Sequence, residues 1–377
     1  MNRVKEIRKE RGFTQEALAK ASGISRKYLS SIENQSVNPS VEIALAISNA
    51  LNVSVDKLFI NDNVQEECVY PRPLRYIDLF CGIGGFRYAS AQAFSRLGIE
   101  GECVFSSDID KYAQKAYAAN FGEVPVGDIT KVDEKTIPDF DLLFAGFPCQ
   151  AFSICGLMEG FQDKTRGTLF FDIARILKEK QPQAFVLENV KNLAGHDGGH
   201  TIQVILNVLR DDLGYHVDYK VLNALDFGLP QKRERVLILG SKKPFKMDWE
   251  FKIENHKTLE DILEKDVPKN YYASEEIVAK RKAMHTSKYK PAVWHENKSG
   301  NISSYPYSCA LRAGASYNYL LVDGERRLMP REMLRLQGFP DSFKIVVSDQ
   351  QARKQAGNAI PVDMVGYVIE RFLPLAF

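Results

Sequence analysis

The sequence predicts an α/β domain with a mainly parallel sheet, together with a small all-α domain and a small irregular domain. Between residues 74 and 240, apolar runs typical of buried strands alternate with amphipathic helices, which indicates parallel strands joined by helices. The first sixty residues instead have the pattern of consecutive short helices. We therefore expect four parts along the chain: a helical domain (1–60), a linker (61–73), an α/β domain (74–240 and 328–377) and the irregular domain (241–327).

Capping residues separate the helices of the first sixty residues. Thr14 precedes "TQEALAKASG", in which we expect Ala17 and Leu18 to face inward, and Ser40 precedes the last helix. Two helices joined by a tight turn containing glycine indicate a helix-turn-helix, although a generic helical bundle is the alternative. The stretch resembles the small helix-turn-helix domain of phage-repressor-type regulators. The DNA-contacting side chains are then expected at Gln15, Ser25, Arg26, Lys27 and Tyr28.

Composition indicates a protein of the cytoplasm. Hydrophobic residues make up 45% and charged residues 26% of the 377 residues, and no apolar run reaches the eighteen residues that a membrane span needs. Six cysteines lack C-x-x-C spacing, so we expect free thiols in a reducing compartment and no structural metal. The net charge of +2 does not by itself indicate or exclude nucleic acid.

A glycine turn and following acids predict a nucleoside-binding pocket. "DLFCGIGGF" places glycines directly after the first strand, where the backbone can approach a ligand. Asp108 ends the second strand and can accept hydrogen bonds from a ribose, and Asp128 follows the next candidate strand. Because the pyrophosphate spacing G-x-G-x-x-G is absent, the pattern favours S-adenosylmethionine over a nicotinamide dinucleotide. Ordinary loop acids remain an alternative at this point.

A cysteine in "GFPCQAFS" is the candidate nucleophile. Cys149 follows an apolar strand, at the sheet edge where ligands bind in α/β proteins. Glu188 ends the strand "FVLENV", and "QKRERVLILG" places Gln231, Arg233 and Arg235 at alternate positions, which share one face of a strand. A thiol, a carboxyl and two guanidinium groups can therefore converge on one cleft.

At residues 74–377 the chain resembles the cytosine-5 DNA methyltransferases. The resemblance rests on six motifs in the family's order: "DLFCGIGGF", "GFPCQAFS", "FVLENVKNL", "QKRERV", "RLMPREMLRLQGFP" and "QAGNAIP". It implies a Rossmann-like, S-adenosylmethionine-dependent methyltransferase domain, with a target-recognition domain over the irregular residues 241–327.

The resemblance also implies residue roles. Cys149 would attack carbon 6 of a flipped-out cytosine, Glu188 would meet the N3 side, and Arg235, supported by Arg233, would hold the base oxygen. The positions matching cofactor contacts are Phe80, Gly82, Ile83, Gly84, Asp108, Ile109, Asp128, Ile129, Pro148, Leu169 and Asn358. The family's usual serine is replaced by Ala359, for which we expect little effect.

DNA contacts are expected on both sides of the cleft. Residues 153–167, with three glycines, form a candidate lid. Ala310 and Leu311 stand where a Thr-Leu pair is common, so the family's base-reading residues do not carry over here one by one. The expected contacts are Ser153, Arg166, Gln231, Lys298 and Arg312, with Ser316, Tyr317 and Asn318 as further groove or phosphate contacts.

These features predict an enzyme that methylates a short double-stranded DNA sequence and protects it from a cognate restriction enzyme. The fused helix-turn-helix indicates repression of the enzyme's own transcription, with a dimer on the operator. A bacterial or phage protein associated with the nucleoid is expected. Four alternatives stay open: a tRNA cytosine methyltransferase, a regulator built on an inactive methyltransferase, a nicotinamide-dependent dehydrogenase, which the missing pyrophosphate spacing disfavours, and a helical domain that only helps to hold substrate DNA.

Overall fold

The computed structural model describes residues 2–53, 55–59, 70, 73–148 and 169–377. The chain divides into two compact units, Met1–Val69 and Tyr70–Phe377, and each has its own buried apolar cluster. The predicted linker over 61–73 lies almost entirely outside the described residues.

Short capped helices form the N-terminal unit. They are α1 (Val4–Glu10), α2 (Gln15–Ala21), α3 (Arg26–Glu33), α4 (Val41–Leu51) and α5 (Val55–Leu58). The predicted caps are confirmed, because Thr14 accepts a hydrogen bond from the Ala17 amide and Ser40 accepts one from the Ile43 amide. The prediction that Ala17 faces inward was wrong. Ala17 is exposed, and the buried residues of α2 are Leu18 and Ala19.

A mixed sheet forms the centre of the second unit. The first strands of this unit are β1 (Leu74–Leu79), β2 (Gly101–Ser107), β3 (Leu142–Gly146), β4 (Ala184–Val190), β5 (His216–Asn223), β6 (Gln231–Lys232) and β7 (Glu234–Ser241), of which β6 lies outside this sheet. Among the described residues, six strands follow the order β2-β1-β3-β4-β7-β5. The first four are parallel, as predicted, whereas β7 runs antiparallel to both neighbours.

Helices cover both faces of this sheet. The helices between the strands are α6 (Gly85–Leu97), α7 (Lys111–Phe121), α8 (Leu169–Lys180), α9 (Asn192–Gly195) and α10 (His200–Asn207). Alternate residues of each central strand face opposite clusters, since Phe144 packs with α6 while Leu143 and Ala145 pack with α8. Burial on both faces explains why these strands are continuous apolar runs in the sequence.

The remaining residues are more regular than the sequence indicated. They form α11 (Leu259–Ile262), α12 (Glu275–Met284), β8 (Val293–Glu296), β9 (Ile302–Tyr305), β10 (Ser308–Cys309), β11 (Leu320–Val322), α13 (Pro330–Leu336), α14 (Asp349–Asn358) and α15 (Val362–Ala376). Strands β11, β8 and β9 form a small antiparallel sheet, and β10 pairs with β6. Strands of two to four residues are too short for a period-two pattern to reveal.

The C-terminal helix returns to the α/β layer, as the sequence predicted. A methyl group built on Gly366 of α15 would lie 3.3 Å from the Ala89 carbonyl oxygen of α6, so the two helices are in close contact. Apolar residues from 245 to 322 join the same buried cluster as α6 and α15. Residues 241–327 are therefore packed onto the α/β layer, and their separate function as a recognition domain stays a prediction.

Candidate active site and DNA-binding surfaces

A cleft of about 730 Å³ opens at the carboxyl ends of β1, β3 and β4. This volume is in the range of small-molecule and cofactor sites. Its lining includes these residues that the sequence predicted for the cofactor: Phe80, Gly82, Ile83, Asp108, Ile109, Asp128, Ile129, Pro148, Leu169 and Asn358. Residues predicted from scattered positions are thus brought to one sheet edge by the parallel strand order.

The carboxyl group of Asp108 holds the glycine turn in place. It accepts hydrogen bonds from the Gly82 amide at 2.7 Å and from the Asp110 amide at 2.8 Å. Gly82 has φ +56, a conformation that favours glycine. Burial raises the pKa of Asp108. Because a carboxylate has about four acceptor positions, two remain for the hydroxyls of a ribose.

Two further residues at the mouth of the cleft suit a nucleoside. The Ile109 side chain is 72% exposed and lines the cleft, so it offers an apolar surface to an aromatic ring. Asp128 accepts hydrogen bonds from the hydroxyl and the amide of Thr130, and these bonds lower its pKa. The donor set therefore fits S-adenosylmethionine, which combines an adenine, a ribose and a cationic sulfur.

Gly84 has a different position from the one expected. It is absent from the lining of the cleft and forms the N-cap of α6 with φ +85. A methyl group built on it would meet the Phe121 ring at 2.1 Å. Gly84 therefore allows α6 and α7 to approach each other, which is a correction to its assignment as a cofactor contact.

Glu188 and Arg235 form a buried ion pair in the same cleft. The Arg235 Nε atom lies 2.7 Å from a Glu188 carboxylate oxygen, and both side chains are largely shielded from water. Glu188 is opposite Gly146 in the β3–β4 register, which places it beside the strand that leads to Pro148. Burial raises the pKa of Glu188, although Arg235 and Arg233 act in the opposite direction. This carboxyl is therefore suited to holding a proton.

Arg233 and Gln231 do not share a face with Arg235, contrary to the predicted alternation. The strand is interrupted, since β6 ends at Lys232 and β7 begins at Glu234. Arg233 is 1% exposed and donates hydrogen bonds to backbone carbonyls, and it does not line the cleft. Gln231 is completely buried, with its amide bonded to the Leu336 carbonyl, so the expected DNA contact is corrected to an interior position.

Asn189 is a site residue that sequence reasoning missed. It is 1% exposed, donates a 2.8 Å hydrogen bond to the Phe147 carbonyl and lines the cleft beside Glu188. It thereby fixes the end of the loop that carries Pro148. The signal was present in the sequence, because an asparagine in the predicted buried strand "FVLENV" needs a buried hydrogen-bond partner.

Helix α14 covers the cofactor side of the cleft, and besides the predicted Asn358 it contributes Lys354 and Gln355, which sequence reasoning missed. Lys354 forms an ion pair with Asp110 at 2.6 Å, and Gln355 donates a hydrogen bond to the Tyr112 carbonyl. These contacts fix the loop that carries Ile109. Although burial opposes the change, bonds from Lys354 and from two backbone amides lower the pKa of Asp110.

Some predicted residues lie outside the described residues. These are Cys149, Ser153 and Arg166, together with the candidate lid over 153–167. Pro148, the last described residue before this segment, lines the cleft. Within the described ranges, no group of three or more His, Cys, Asp or Glu residues could hold a metal ion. No helix of that part of the chain is long and apolar enough to cross a bilayer.

The recognition segment, residues 310–318, presents exposed polar side chains. Arg312 is exposed, and its guanidinium lies 4.8 Å from the centre of the Tyr319 ring. Tyr317 is 45% exposed and stacks against Arg353 at 4.0 Å. Ser316 and Lys298 are exposed, the latter in the turn between β8 and β9, whereas Asn318 is half-buried.

The N-terminal unit presents its own polar surface. Arg26, Lys27 and the half-buried Gln15 line one concave surface around α3. Ser25 caps α3 by accepting from the Tyr28 amide, and Gln15 donates a 2.8 Å hydrogen bond to Glu33. Tyr28 packs partly against the apolar cluster of this unit. Arg26 and Lys27 therefore remain the exposed cations on this surface.

The sheet, the glycine turn and the ribose acid define the class of protein: an α/β methyltransferase that uses S-adenosylmethionine. The chain belongs to the C-5 cytosine-specific DNA methylase family, whose model matches residues 74–373. A helix-turn-helix model matches residues 4–58. The protein is thus a DNA (cytosine-5-)-methyltransferase with DNA as its substrate, which excludes the dehydrogenase alternative.

Known proteins are similar over most of the chain. The Type II methyltransferase M.NgoBI of Neisseria gonorrhoeae is 53% identical over 292 residues, which is 77% of this chain and 90% of the relative. The Type II methyltransferase M1.ScrFI of Lactococcus lactis subsp. cremoris is 40% identical over 380 residues, which is 98% of this chain and 94% of the relative. The crystal structure of the S. pombe Dnmt2 methyltransferase shows the same fold, with a TM-score of 0.61 at 23% identity over 81% of this chain and 99% of that chain.

Proposed function

We propose that the enzyme methylates cytosine through a covalent bond between Cys149 and carbon 6 of a flipped-out base. The observation that carries this proposal is the buried Glu188–Arg235 pair, 2.7 Å apart, in the cleft that also holds the cofactor residues. Pro148, which immediately precedes Cys149, lines the same cleft. The base, the thiol and the cofactor can therefore meet at one place.

The residues have complementary tasks in this reaction. The Cys149 thiolate forms a bond to carbon 6, and the displaced electron pair moves toward N3 and carbon 5. Glu188 holds a proton at N3, while Arg235 donates hydrogen bonds to the base oxygen. Bound S-adenosylmethionine would supply an electrophilic methyl group, and carbon 5 takes this group as the methyl–sulfur bond breaks and S-adenosylhomocysteine is left. Loss of the carbon 5 proton to a base then expels the Cys149 thiolate and restores the aromatic ring.

The base has to leave the duplex for this chemistry. Carbons 5 and 6 of cytosine are stacked between neighbouring bases in DNA, so side chains in a cleft cannot reach them in an intact duplex. The recognition segment and Lys298 supply exposed arginine, lysine and hydroxyl groups that suit phosphates and base edges. Residues 241–327 are thus proposed to select one short target sequence.

A duplex containing 5-fluorocytosine tests the covalent step. Fluorine replaces the hydrogen at carbon 5, so no proton can be removed there to expel the thiolate. The Cys149 bond to carbon 6 should therefore persist after methyl transfer. We expect a protein–DNA adduct that survives heating in detergent, and no adduct with Cys149→Ser. Folded wild-type protein that methylates DNA but forms no adduct, or equal trapping by the variant, would overturn the covalent mechanism.

The N-terminal domain is proposed to repress the transcription of the enzyme's own gene as a dimer, and methylation to protect the target from a cognate restriction enzyme. Both relatives described above carry the name Type II methyltransferase, and the exposed Arg26 and Lys27 form a DNA-compatible surface on α3. A footprint on the promoter that Arg26→Ala removes would support repression. A footprint confined to the methylation site contradicts it and supports the alternative that the helices only hold substrate DNA.

A further inference from the structure

Arg233 connects two segments that are distant in the sequence. Its guanidinium donates hydrogen bonds to the carbonyl of Leu311 at 2.8 Å and to the carbonyls of Gly357 at 2.9 Å and Ala359 at 2.6 Å. Leu311 belongs to the recognition segment. Gly357 and Ala359 flank a cleft residue in what we call the cofactor loop, residues 357–359. One buried cation thus holds both segments.

A neighbouring glutamine reinforces this arrangement. The Gln231 side chain accepts a hydrogen bond from the Leu311 amide at 3.1 Å and donates one to the Leu336 carbonyl at 2.8 Å. Gln337, which is bonded to Gln231, donates in turn to the Ala356 carbonyl at 2.6 Å. Both backbone groups of Leu311 are therefore fixed by buried side chains, which is an unusual degree of support for a loop on a binding surface.

The two segments also touch directly. A methyl group built on Gly357 would lie 2.4 Å from the Ala313 amide nitrogen, so the backbones leave no room for a side chain. On the outer side of α14, Arg353 stacks on Tyr317 of the recognition segment. A displacement of the recognition segment therefore requires the cofactor loop to move as well, since close-packed backbones transmit displacements.

Each segment exposes a residue to a different ligand. Arg312, next to Leu311, is exposed on the proposed DNA side, whereas Asn358 lines the cofactor cleft. Arg233 itself reaches neither ligand site, because it is 1% exposed and absent from the cleft. The two terminal nitrogens of Arg233 make three hydrogen bonds, whereas its Nε has no partner among the described residues. A lysine would offer one ammonium group in place of two nitrogens that are spread over both segments.

We propose that Arg233 is a positioning residue that couples the binding of target DNA to the binding of the cofactor. This inference rests on the proposed contact between residues 310–318 and DNA. Energetic coupling between two sites is reciprocal, so target DNA should tighten cofactor binding by the factor by which the cofactor tightens DNA binding. Such a link would favour a bound cofactor when a target cytosine enters the cleft.

A thermodynamic cycle tests the coupling. The dissociation constant of S-adenosylhomocysteine is measured with and without a saturating target duplex, for the wild type and for Arg233→Lys. We expect the duplex to tighten wild-type binding by about fivefold or more, the usual lower range of allosteric coupling, and to leave the variant's affinity nearly unchanged. Arg331→Lys is the matched control, since Arg331 also donates to two backbone carbonyls, Pro340 and Phe343, but contacts neither segment.

The inference would be overturned by wild-type coupling near one or by a folded Arg233→Lys enzyme that keeps the full coupling. Loss of coupling in Arg331→Lys as well would assign the effect to general destabilisation and would also overturn it. If Arg233→Lys does not fold, the same cycle is measured with Gly357→Ala, because the added methyl group separates the cofactor loop from the recognition segment. Coupling that persists in full in this variant would overturn the inference. Arg312→Ala tests the proposed recognition role separately. If residues 310–318 do not contact DNA, this variant binds the target duplex as tightly as the wild type does.

Discussion

At the scale of single residues, Glu188 is the group whose surroundings most directly define the chemistry. Burial raises its pKa, while the adjacent Arg235 keeps the carboxyl in a fixed orientation. A folded-state pKa above the unfolded value means that the native protein retains a proton after the unfolded chain has lost it. Protonated Glu188 can donate to N3, so the activity that depends on it is lost as the pH rises through this pKa.

Replacing Glu188 by Gln should lower kcat on the order of 10²-fold and should remove this loss of activity on the basic side. The pH dependence of kcat measures both effects. Glu234→Gln is a suitable control, because Glu234 is nearby but pairs with Lys191 outside the cleft. An unchanged basic limb in Glu188→Gln would show that another group controls it.

The residue scale also marks the limit of sequence reasoning. The positions that line the cleft were predictable because they follow buried strands and the strand order is parallel. Gln231 and Arg233 were placed wrongly, since the strand is interrupted at Arg233, between β6 and β7, and the alternation of side chains does not continue across the interruption. Their partners lie more than 70 residues away in the sequence, and no local pattern reveals such contacts.

At the scale of elements, the packing of α6 against α7 depends on Gly84 in the glycine turn after β1. Gly84→Ala should destabilise the protein by about 1–2 kcal/mol for the left-handed backbone and by about a further 1–3 kcal/mol for overlap with Phe121. Gly98→Ala, also at positive φ but with open space, should show only the first contribution. Urea denaturation measures the difference, and equal stabilities would contradict the packing argument.

Within the N-terminal unit, the ion pair between Arg8 and Glu33 joins α1 to α3. The two side chains are nearly inaccessible to water, so Glu33→Gln leaves a buried guanidinium without its charged partner and should cost about 3–5 kcal/mol. Hydrogen exchange should then show lost protection in residues 2–53. Glu6→Gln, which removes an exposed pair with Arg3, should have an effect below about 1 kcal/mol. Similar protection in both variants would contradict this assignment.

Helix boundaries were more predictable than short strands. Thr14 and Ser40 signalled helix starts because a capping hydroxyl acts within three residues of itself. The sheet of β11, β8 and β9 is held by pairing between strands of three or four residues, which depends on tertiary contacts that a single sequence does not display.

At the scale of the whole molecule, the two units are proposed to bind DNA independently. Replacing both Arg26 and Lys27 by Ala should leave the rate of target methylation unchanged. It should reduce the salt dependence of operator binding by about two in the slope of log K against log salt. Filter binding over a range of salt concentrations, beside a methylation assay, checks both parts. A parallel loss of methylation would show that the helices hold substrate DNA.

The central claim, that this chain methylates carbon 5 of cytosine through Cys149, is tested most directly by bisulfite sequencing of genomic DNA. Wild-type enzyme and Cys149→Ser are expressed in a host without cytosine methylation. We predict modified cytosines within one short sequence motif for the wild type and none for the variant. Soluble wild-type protein that leaves the DNA unmodified, or a variant that modifies it equally, would contradict the claim.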